Sequence, residues 1–280
     1  METIKTIAGI NKRIKEVKQE GCSVGLVPTM GYFHDGHISL IQKAREECDI
    51  VVISIFVNPL QFGMKEDFSE YPRNLEKDLV IAKKCKADIV FIPDNTEMYP
   101  EKNLTFVEVG ELSECLCGKS RPGHFRGVTT VVAKLFNIIY PDKAYFGEKD
   151  FQQLIIIKKM VKDLNFNMEI IPVPLFREKD GLAMSSRNVY LSGQQRKSAL
   201  SLFKAIENAK NNYKQGIRDK KTIISKAKAV INKEKEIKLE YMEIRDAYDF
   251  KPVEKIKGKA VLVIAAMVGK TRLIDNVILG

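Results

Sequence analysis

Up to about residue 176 the chain alternates short, nearly continuous apolar runs rich in β-branched residues with longer stretches whose apolar positions recur at helical spacing. The runs at 23–28 (SVGLVP), 50–57 (IVVISIFV), 88–93 (DIVFIP), 143–148 (KAYFGE) and 168–174 (MEIIPVP) predict strands. Segments near 38–47, 73–86, 124–139 and 150–163 predict the helices between them. Such alternation gives a parallel sheet, and strands apolar on both faces suit a sheet covered by helices on both sides. Residues 1–176 therefore read as a Rossmann-like α/β domain. The N-terminal METIKTIAGINKRIKEVKQEG also carries its apolar residues at helical spacing, mixed with charges.

Beyond REKDGLAMSSRNVYLS the texture changes. A Lys-rich helical periodicity runs from about 193 to 235, followed by KLEYMEIRD, KAVLVIAAMVG and TRLIDNVIL, which read as strands with turns between them. Two helices and a small sheet predict a second, smaller α+β domain over 177–280.

Composition narrows the class. A hydrophobic content of 45% and a charged content of 29% are ordinary for a globular protein. The longest apolar runs stop far short of the roughly 20 residues of a membrane span. The N-terminus lacks the apolar core and small-residue cleavage site of a secretion signal, so a cytoplasmic protein that engages no membrane is expected. Five cysteines form no even framework, and CLCG at 115–118 lacks a second pair at zinc spacing. Reduced thiols and no protein-held metal follow. The net charge of +10 is uneven: residues 177–280 hold 23 Lys and Arg against 12 Asp and Glu, residues 1–176 hold 23 against 24. Lysines dispersed along amphipathic helices read as solvated faces, and without an aromatic-rich RNA motif no nucleic-acid partner is expected.

No G-x-G-x-x-G follows a strand, and VGKT at 268–271 fails as a phosphate loop because Ile264 stands where the first Gly belongs. The stretch VPTMGYFHDGHISL offers another device. A strand runs into Met30, Gly31, His34 and His37, and the three-residue spacing sets both imidazoles on one side of the first turn of a helix. Helix-start N–H groups favour anions, and Gly31 and Gly36 permit close backbone approach. The rival reading is a pair of histidines that merely cap the helix. A second strand delivers Gly147, Glu148, Lys149 and Asp150 to the carboxyl edge of the sheet, where Lys149 can neutralise phosphate and Asp150 can accept from ribose hydroxyls. A solvated charge cluster is the alternative. NPLQFG supplies Asn58 and Gln61, neutral amides suited to a small hydroxy acid, with Gln153 of FQQL as an opposite wall; a turn-and-cap role competes. LAMSSRN follows a hinge-permitting Gly and sets Met184, Ser185, Ser186 and Arg187 where they can close over β- and γ-phosphates, unless the segment is a plain helix N-cap. RPGHFRGV adds Arg121, His124 and Arg126 near the same pocket without assignable roles.

HDGH is similar to the HIGH motif of the adenylyl-transferring superfamily, and MSSRN resembles its mobile KMSKS-type partner. Taken in order, PTMG..H.GH, FVNPLQFG, YPR, RPGHFRGV.TVV.KLFN, AYFGEKD.QQ, GLAMSSRNVYLS and VGKTRLIDN resemble the pantoate–β-alanine ligases, from residue 23 to the C-terminus. Tyr32-Phe33 and the Lys-rich helices depart from the family pattern. The resemblance implies an ATP-dependent condensation of pantoate with β-alanine through pantoyl adenylate, in a homodimer. It implies that residues 1–176 bind nucleotide and pantoate, that 177–280 form a lid, and that Gln61 and Gln153 bind pantoate. His34, His37, Lys149 and Arg187 are then the charge partners of the phosphates, with His37 a candidate proton donor. Mg²⁺ would bridge phosphate oxygens, held either with the help of Asp78 through water or by the phosphates alone. Another adenylyl transferase with a different acceptor is the alternative.

Overall fold

The computed structural model describes residues 1–64 and 66–280. The chain forms two compact units, residues 1–148 with 156–174, and residues 149–155 with 175–280. Among the described residues no helix is long and apolar enough to cross a membrane.

The first unit is built on six strands: β1 (Glu2–Ile4), β2 (Val24–Thr29), β3 (Ile50–Ile55), β4 (Ile89–Phe91), β5 (Lys143–Gly147) and β6 (Glu169–Val173). All pair in parallel, in the order β1-β4-β3-β2-β5-β6. The chain steps outward from β2 through β3 to β4, then returns to β5 on the other side of β2. The strand order thus reverses at β2 and β5, where Gly25 pairs with Lys143 and Leu26 with Ala144. In open α/β sheets ligands bind beyond the carboxyl ends at such a switch point. The histidine turn leaves β2 and Gly147-Glu148 leaves β5, so the topology brings both to one crevice.

The first unit also holds α1 (Ile7–Gln19), α2 (Asp35–Glu47), α3 (Leu75–Lys84), the one-turn α4 (Asn95–Met98) and α5 (Cys117–Ser120), and α6 (His124–Ile139). Helix α2 buries Leu40, Ile41 and Ala44, spaced to form one stripe, against Val27, Val51, Ile53 and Tyr145 of the sheet, and α3 adds Ala82. Phe146, next to Tyr145 and so on the other face, meets Phe136 of α6 edge-on at 6.5 Å. Helix α6 is buried almost all round. The five predicted strands are present, with IVVISIFV and DIVFIP trimmed to Ile50–Ile55 and Ile89–Phe91. Strand β1 is an addition: three residues at the sheet edge, hydrogen-bonded to β4, are too short to show a period of two. Helix α1 then begins at a Thr6 cap whose hydroxyl accepts from Gly9 N–H.

α7 (Phe151–Asp163) begins in the second unit and ends in the first. The second unit adds α8 (Gly193–Lys214), α9 (Lys220–Ile231) and an antiparallel meander of β7 (Ile237–Asp246), β8 (Ala260–Val268) and β9 (Thr271–Leu279). The Lys-rich stretch is two helices because Gly216, at φ +91°, ends the first, with Ile217 N–H turning back to Asn212 O. Leu202 and Ile206 of α8 and Ile223 and Ala227 of α9 share one core with Leu262 and Ile264 of β8. VGKT is the hairpin between β8 and β9, Val268 pairing with Thr271 around Gly269 at φ +56°. The architecture is the expected one: a Rossmann-like parallel sheet with helices and a smaller α+β part.

Glu47, at the end of α2, ties that helix to β5. Its carboxylate meets Lys43 Nζ at 2.7 Å, Lys143 Nζ at 3.2 Å and the Tyr145 hydroxyl at 3.1 Å. The hydrogen bond from Lys43 leads the contacts that hold its carboxyl at about 2. A folded value below the unfolded one, about 4.3, stabilises the protein above the unfolded value and loses that stabilisation as pH falls toward 2. The wild type should lose more melting temperature between about pH 5 and pH 2 than Glu47→Gln, read by scanning calorimetry; parallel curves would contradict the assignment.

Candidate active site

Strand β2 ends at Thr29, and the next residues turn sharply. Gly31 (φ +81°) and Tyr32 (φ +56°) are both left-handed. For tyrosine that costs about 1–2 kcal/mol. Asp78, in the first turn of α3 and 1% exposed, offsets the cost. Its Oδ2 accepts from Tyr32 N–H and its Oδ1 from Phe33 N–H, both at 2.7 Å. Hydrogen bonds to a charged group contribute about 1.5–3 kcal/mol each and oppose the strain, while desolvation of the buried carboxylate takes back part of that gain. Burial pushes the Asp78 carboxyl up, against the two N–H donors that draw it down. A methyl group at Gly31 would stand 2.9 Å from Asp78 Oδ2, which is why glycine occupies the position. Thr29 Oγ1 donates to Ser54 O at 2.7 Å and accepts from Gly31 N–H at 3.2 Å, tying the start of the turn to β3.

The turn delivers His34 as the N-cap of α2 and His37 in its first turn. Their rings lie 4.0 Å apart, centroid to centroid. His34 N–H donates to His37 Nδ1 at 3.3 Å. The capping role is therefore real, and it has a chemical consequence. With Nδ1 accepting, the neutral His37 ring carries its proton on Nε2, a donor at the mouth of a helix start.

Gln61 is held on a second set of contacts. The turn Pro59–Gln61 is capped by Asn58, which is 1% exposed. Asn58 Oδ1 accepts from Leu60 N–H (3.3 Å) and the Tyr99 hydroxyl (2.9 Å), while its Nδ2 donates to Gln61 Oε1 (3.2 Å) and Gly127 O (3.1 Å). Asn58 thus orients the Gln61 amide, leaving Gln61 Nε2 3.1 Å from Met30 Sδ beside the histidine turn. RPGHFRGV supports the same turn. His124 Nδ1 lies 2.8 Å from Gln61 O and its Nε2 lies 3.0 Å from Arg121 Nη1, an arrangement that a neutral ring protonated on Nδ1 satisfies at both ends. Arg121 grips Glu66 with two N–H groups at 2.8 and 2.5 Å. Burial raises the Glu66 carboxyl, but the Arg121 contacts outweigh it and the carboxyl sits below its ordinary range. Arg126 instead lies over the Phe106 ring at 4.5 Å. A cleft of about 320 Å³ opens at the carboxyl ends of β2, β3 and β4, among Met30, Gly31, Phe56, Arg73, Asp78 and Asn95.

The remaining candidates fall on both sides of the unit boundary. Gly147 and Glu148 close the first unit's β5, and Lys149 opens the second. Lys149 O accepts from Asn276 Nδ2 at 2.9 Å, and its ammonium lies 4.0 Å from Asp150. Gln153 is half-buried in the first turn of α7. Residues Met184 to Arg187 follow a small hairpin in which Arg177 bridges to Ala183, with Gly181 (φ +95°) under the Phe203 ring. Arg177 forks onto Asp275 at 2.8 and 2.9 Å, and Asp275, buried enough that desolvation pushes its carboxyl up against that fork, neighbours Asn276. Ser185 caps the short 3-10 helix Ser186–Tyr190, its Oγ accepting from Arg187 N–H at 3.3 Å. Asn188 pins the loop to Ala183 O and Glu178.

Sequence reasoning did not find the holding roles of Asp78, Tyr99, Glu66 and Asp275. Each acts on a partner more than forty residues away, and only the RLIDN and YPR motifs hinted at two of them.

The family model described as Pantoate-beta-alanine ligase matches residues 2–278. A pantothenate synthetase from Moorella thermoacetica is 53% identical over 279 residues, covering 100% of this chain and 99% of the relative. One from Clostridium botulinum is 53% identical over 276 residues, covering 99% and 98%. The crystal structure of pantothenate synthetase from Thermus thermophilus matches with a TM-score of 0.94 at 42% identity over 99% of each chain. A Francisella tularensis pantoate-beta-alanine ligase complexed with beta-gamma ATP and beta-alanine matches with a TM-score of 0.82 at 36% identity, covering 99% of this chain and 97% of that one.

The closeness of α6 to the Gln61 turn is testable by one methyl group. A Cβ at Gly127 would lie 2.2 Å from Leu60 O and 2.4 Å from its carbonyl carbon, a backbone clash that only movement of the turn relieves. Gly127→Ala should destabilise by about 1–3 kcal/mol and lower the melting temperature by several degrees. Gly193→Ala, where a Cβ meets open space, should leave it within about a degree. An unshifted Gly127→Ala would show that the turn does not rest on the helix.

Proposed function

Because the chain belongs to the pantoate–β-alanine ligase family, we propose that it joins pantoate to β-alanine in two steps at the carboxyl edge of its parallel sheet. A pantoate carboxylate oxygen attacks the α-phosphorus of ATP, giving pantoyl adenylate and pyrophosphate. The β-alanine amine then attacks the acyl carbon, giving pantothenate and AMP. The observation that carries this reading is the meeting of Gln61 Nε2 with Met30 Sδ, which sets an amide suited to a small hydroxy acid beside the turn that carries His34 and His37.

Neither step requires a covalent bond to the protein, so the protein contributes alignment and charge. Gln61 and Gln153 bind pantoate, and Asn58 acts on it through the orientation it imposes on Gln61. Met30, Gly31, His34 and His37 receive the nucleotide at the start of α2, with His37 Nε2–H donating to the phosphate oxygens. Gly147, Glu148, Lys149, Asp150, Met184, Ser185, Ser186 and Arg187 complete the ATP contacts. Lys149 and Arg187 supply formal positive charge as negative charge moves onto the leaving pyrophosphate. Among the described residues no group of three or more His, Cys, Asp or Glu side chains is placed to hold a metal ion, and both Asp78 oxygens are engaged by backbone N–H groups. In this reading Mg²⁺ enters on the ATP phosphates, and Asp78, whose oxygens each keep a lone pair beyond the N–H they accept, would hold it through water. Residues 177–280 serve as the lid, and the family resemblance carries the expectations of a homodimer and a cytoplasmic location.

Adenylation needs only ATP, Mg²⁺ and pantoate, so labelled pyrophosphate should exchange into ATP when pantoate is present and β-alanine is absent. His37→Ala and Lys149→Ala should slow that exchange on the order of 100- to 1000-fold. Gln61→Ala should raise the pantoate requirement while ATP binding, read by calorimetry, stays near wild type. Exchange without pantoate, or no exchange at all, would refute the stepwise reading; loss of ATP affinity in Gln61→Ala would move that residue to the nucleotide.

A further inference from the structure

The Asp78 carboxylate grips the backbone that leads from β2 to the two histidines. Both of its oxygens accept N–H bonds from consecutive residues, Tyr32 and Phe33, and the second of these immediately precedes His34. The turn it grips contains two left-handed residues in succession, one of them a tyrosine. Gly31 has no room for a side chain on the Asp78 side. Asp78 itself is fixed, lying in the first turn of a ten-residue helix whose cap, Asn74, accepts from Lys77 N–H at 3.1 Å. An acidic group there also complements the positive end of α3.

We infer that Asp78 is a positioning residue for adenylation, a clamp that keeps Gly31 and Tyr32 in the left-handed turn and thereby fixes where His34 and His37 stand. This rests on the assignment of the two histidines to the ATP phosphates. A carboxylate suits the task because it offers acceptors only. The isosteric amide keeps one acceptor and turns an NH₂ group toward the other backbone N–H, so Asp78→Asn alters the turn with little change in volume.

The chain has three histidines, which makes their ring signals separable by nuclear magnetic resonance. His124 is bonded to Arg121 and Gln61 in a different network and serves as the internal control. In Asp78→Asn the His34 and His37 ring signals should shift while those of His124 stay in place. The pantoate-dependent pyrophosphate exchange rate at saturating substrate should fall on the order of 100-fold, with the pantoate KM changed less than about threefold. Tyr32→Gly combined with Asp78→Asn removes the left-handed strain that the clamp opposes, and should recover on the order of tenfold of the rate. The double variant also carries the test if the single one is recovered in poor yield. Unmoved His34 and His37 signals, or equal displacement of His124, would overturn the clamp. Shifted signals with an undiminished exchange rate would uphold the clamp and remove the histidines from the chemistry, a failure of the functional reading instead.

Discussion

All six strands of the larger sheet run parallel, so every carboxyl end emerges on one edge. This constraint creates the site and also its main difficulty. Strands buried on both faces must give way to polar loops without stranding backbone N–H and C=O groups in the interior, where each unpaired group costs on the order of 1–3 kcal/mol. The sequence meets the demand with polar side chains gathered at that edge. Thr29 caps the end of β2 against β3, Asp78 takes two N–H groups of the turn that follows, and Asn58 makes four hydrogen bonds under the turn that follows β3. The polar groups that satisfy the edge are therefore the ones that aim His37 and Gln61.

The second unit applies the same logic with a different pair. Arg177 and Asp275 form a two-bonded ion pair with Asp275 2% exposed, and the next residue, Asn276, donates to Lys149 O. Breaking a buried pair by removing one partner leaves an uncompensated charge, so such a pair fixes geometry more firmly than a surface bridge. Lys149 and the Met184–Arg187 loop, the candidate phosphate contacts of this unit, are thus tied to β9, the last strand of the chain. That accounts physically for the RLIDN segment, which offers no obvious chemistry when read alone.

Much of this was legible in the chain. Runs of β-branched residues marked β2 to β6, and Gly31 and Gly36 around two histidines marked the turn at the head of α2. Three-residue β1 was not legible, because an edge strand of that length carries no period and is defined by its partner β4. Asp78 stands out in the sequence as a carboxylate that can hold magnesium through water, whereas nothing local reveals that α3 packs beside a turn 45 residues earlier. Tyr32 gave no sign of a left-handed backbone; only its neighbour Gly31 did. Asn58 could be read as a ligand contact or as a cap, and burial with four internal bonds favours the cap. Candidate ligand contacts are thus nameable from residue type and spacing, whereas the side chains that hold them depend on contacts that only the fold creates.

In the proposed reaction a carboxylate oxygen of pantoate attacks the α-phosphorus of ATP. The fate of that oxygen reports the attack. With pantoate labelled with heavy oxygen in both carboxylate positions, mass spectrometry of the products should find one labelled oxygen in the phosphate of AMP and one in the amide carbonyl of pantothenate. Label in pyrophosphate, or unlabelled AMP formed alongside pantothenate, would contradict attack at the α-phosphorus and with it this account of the site.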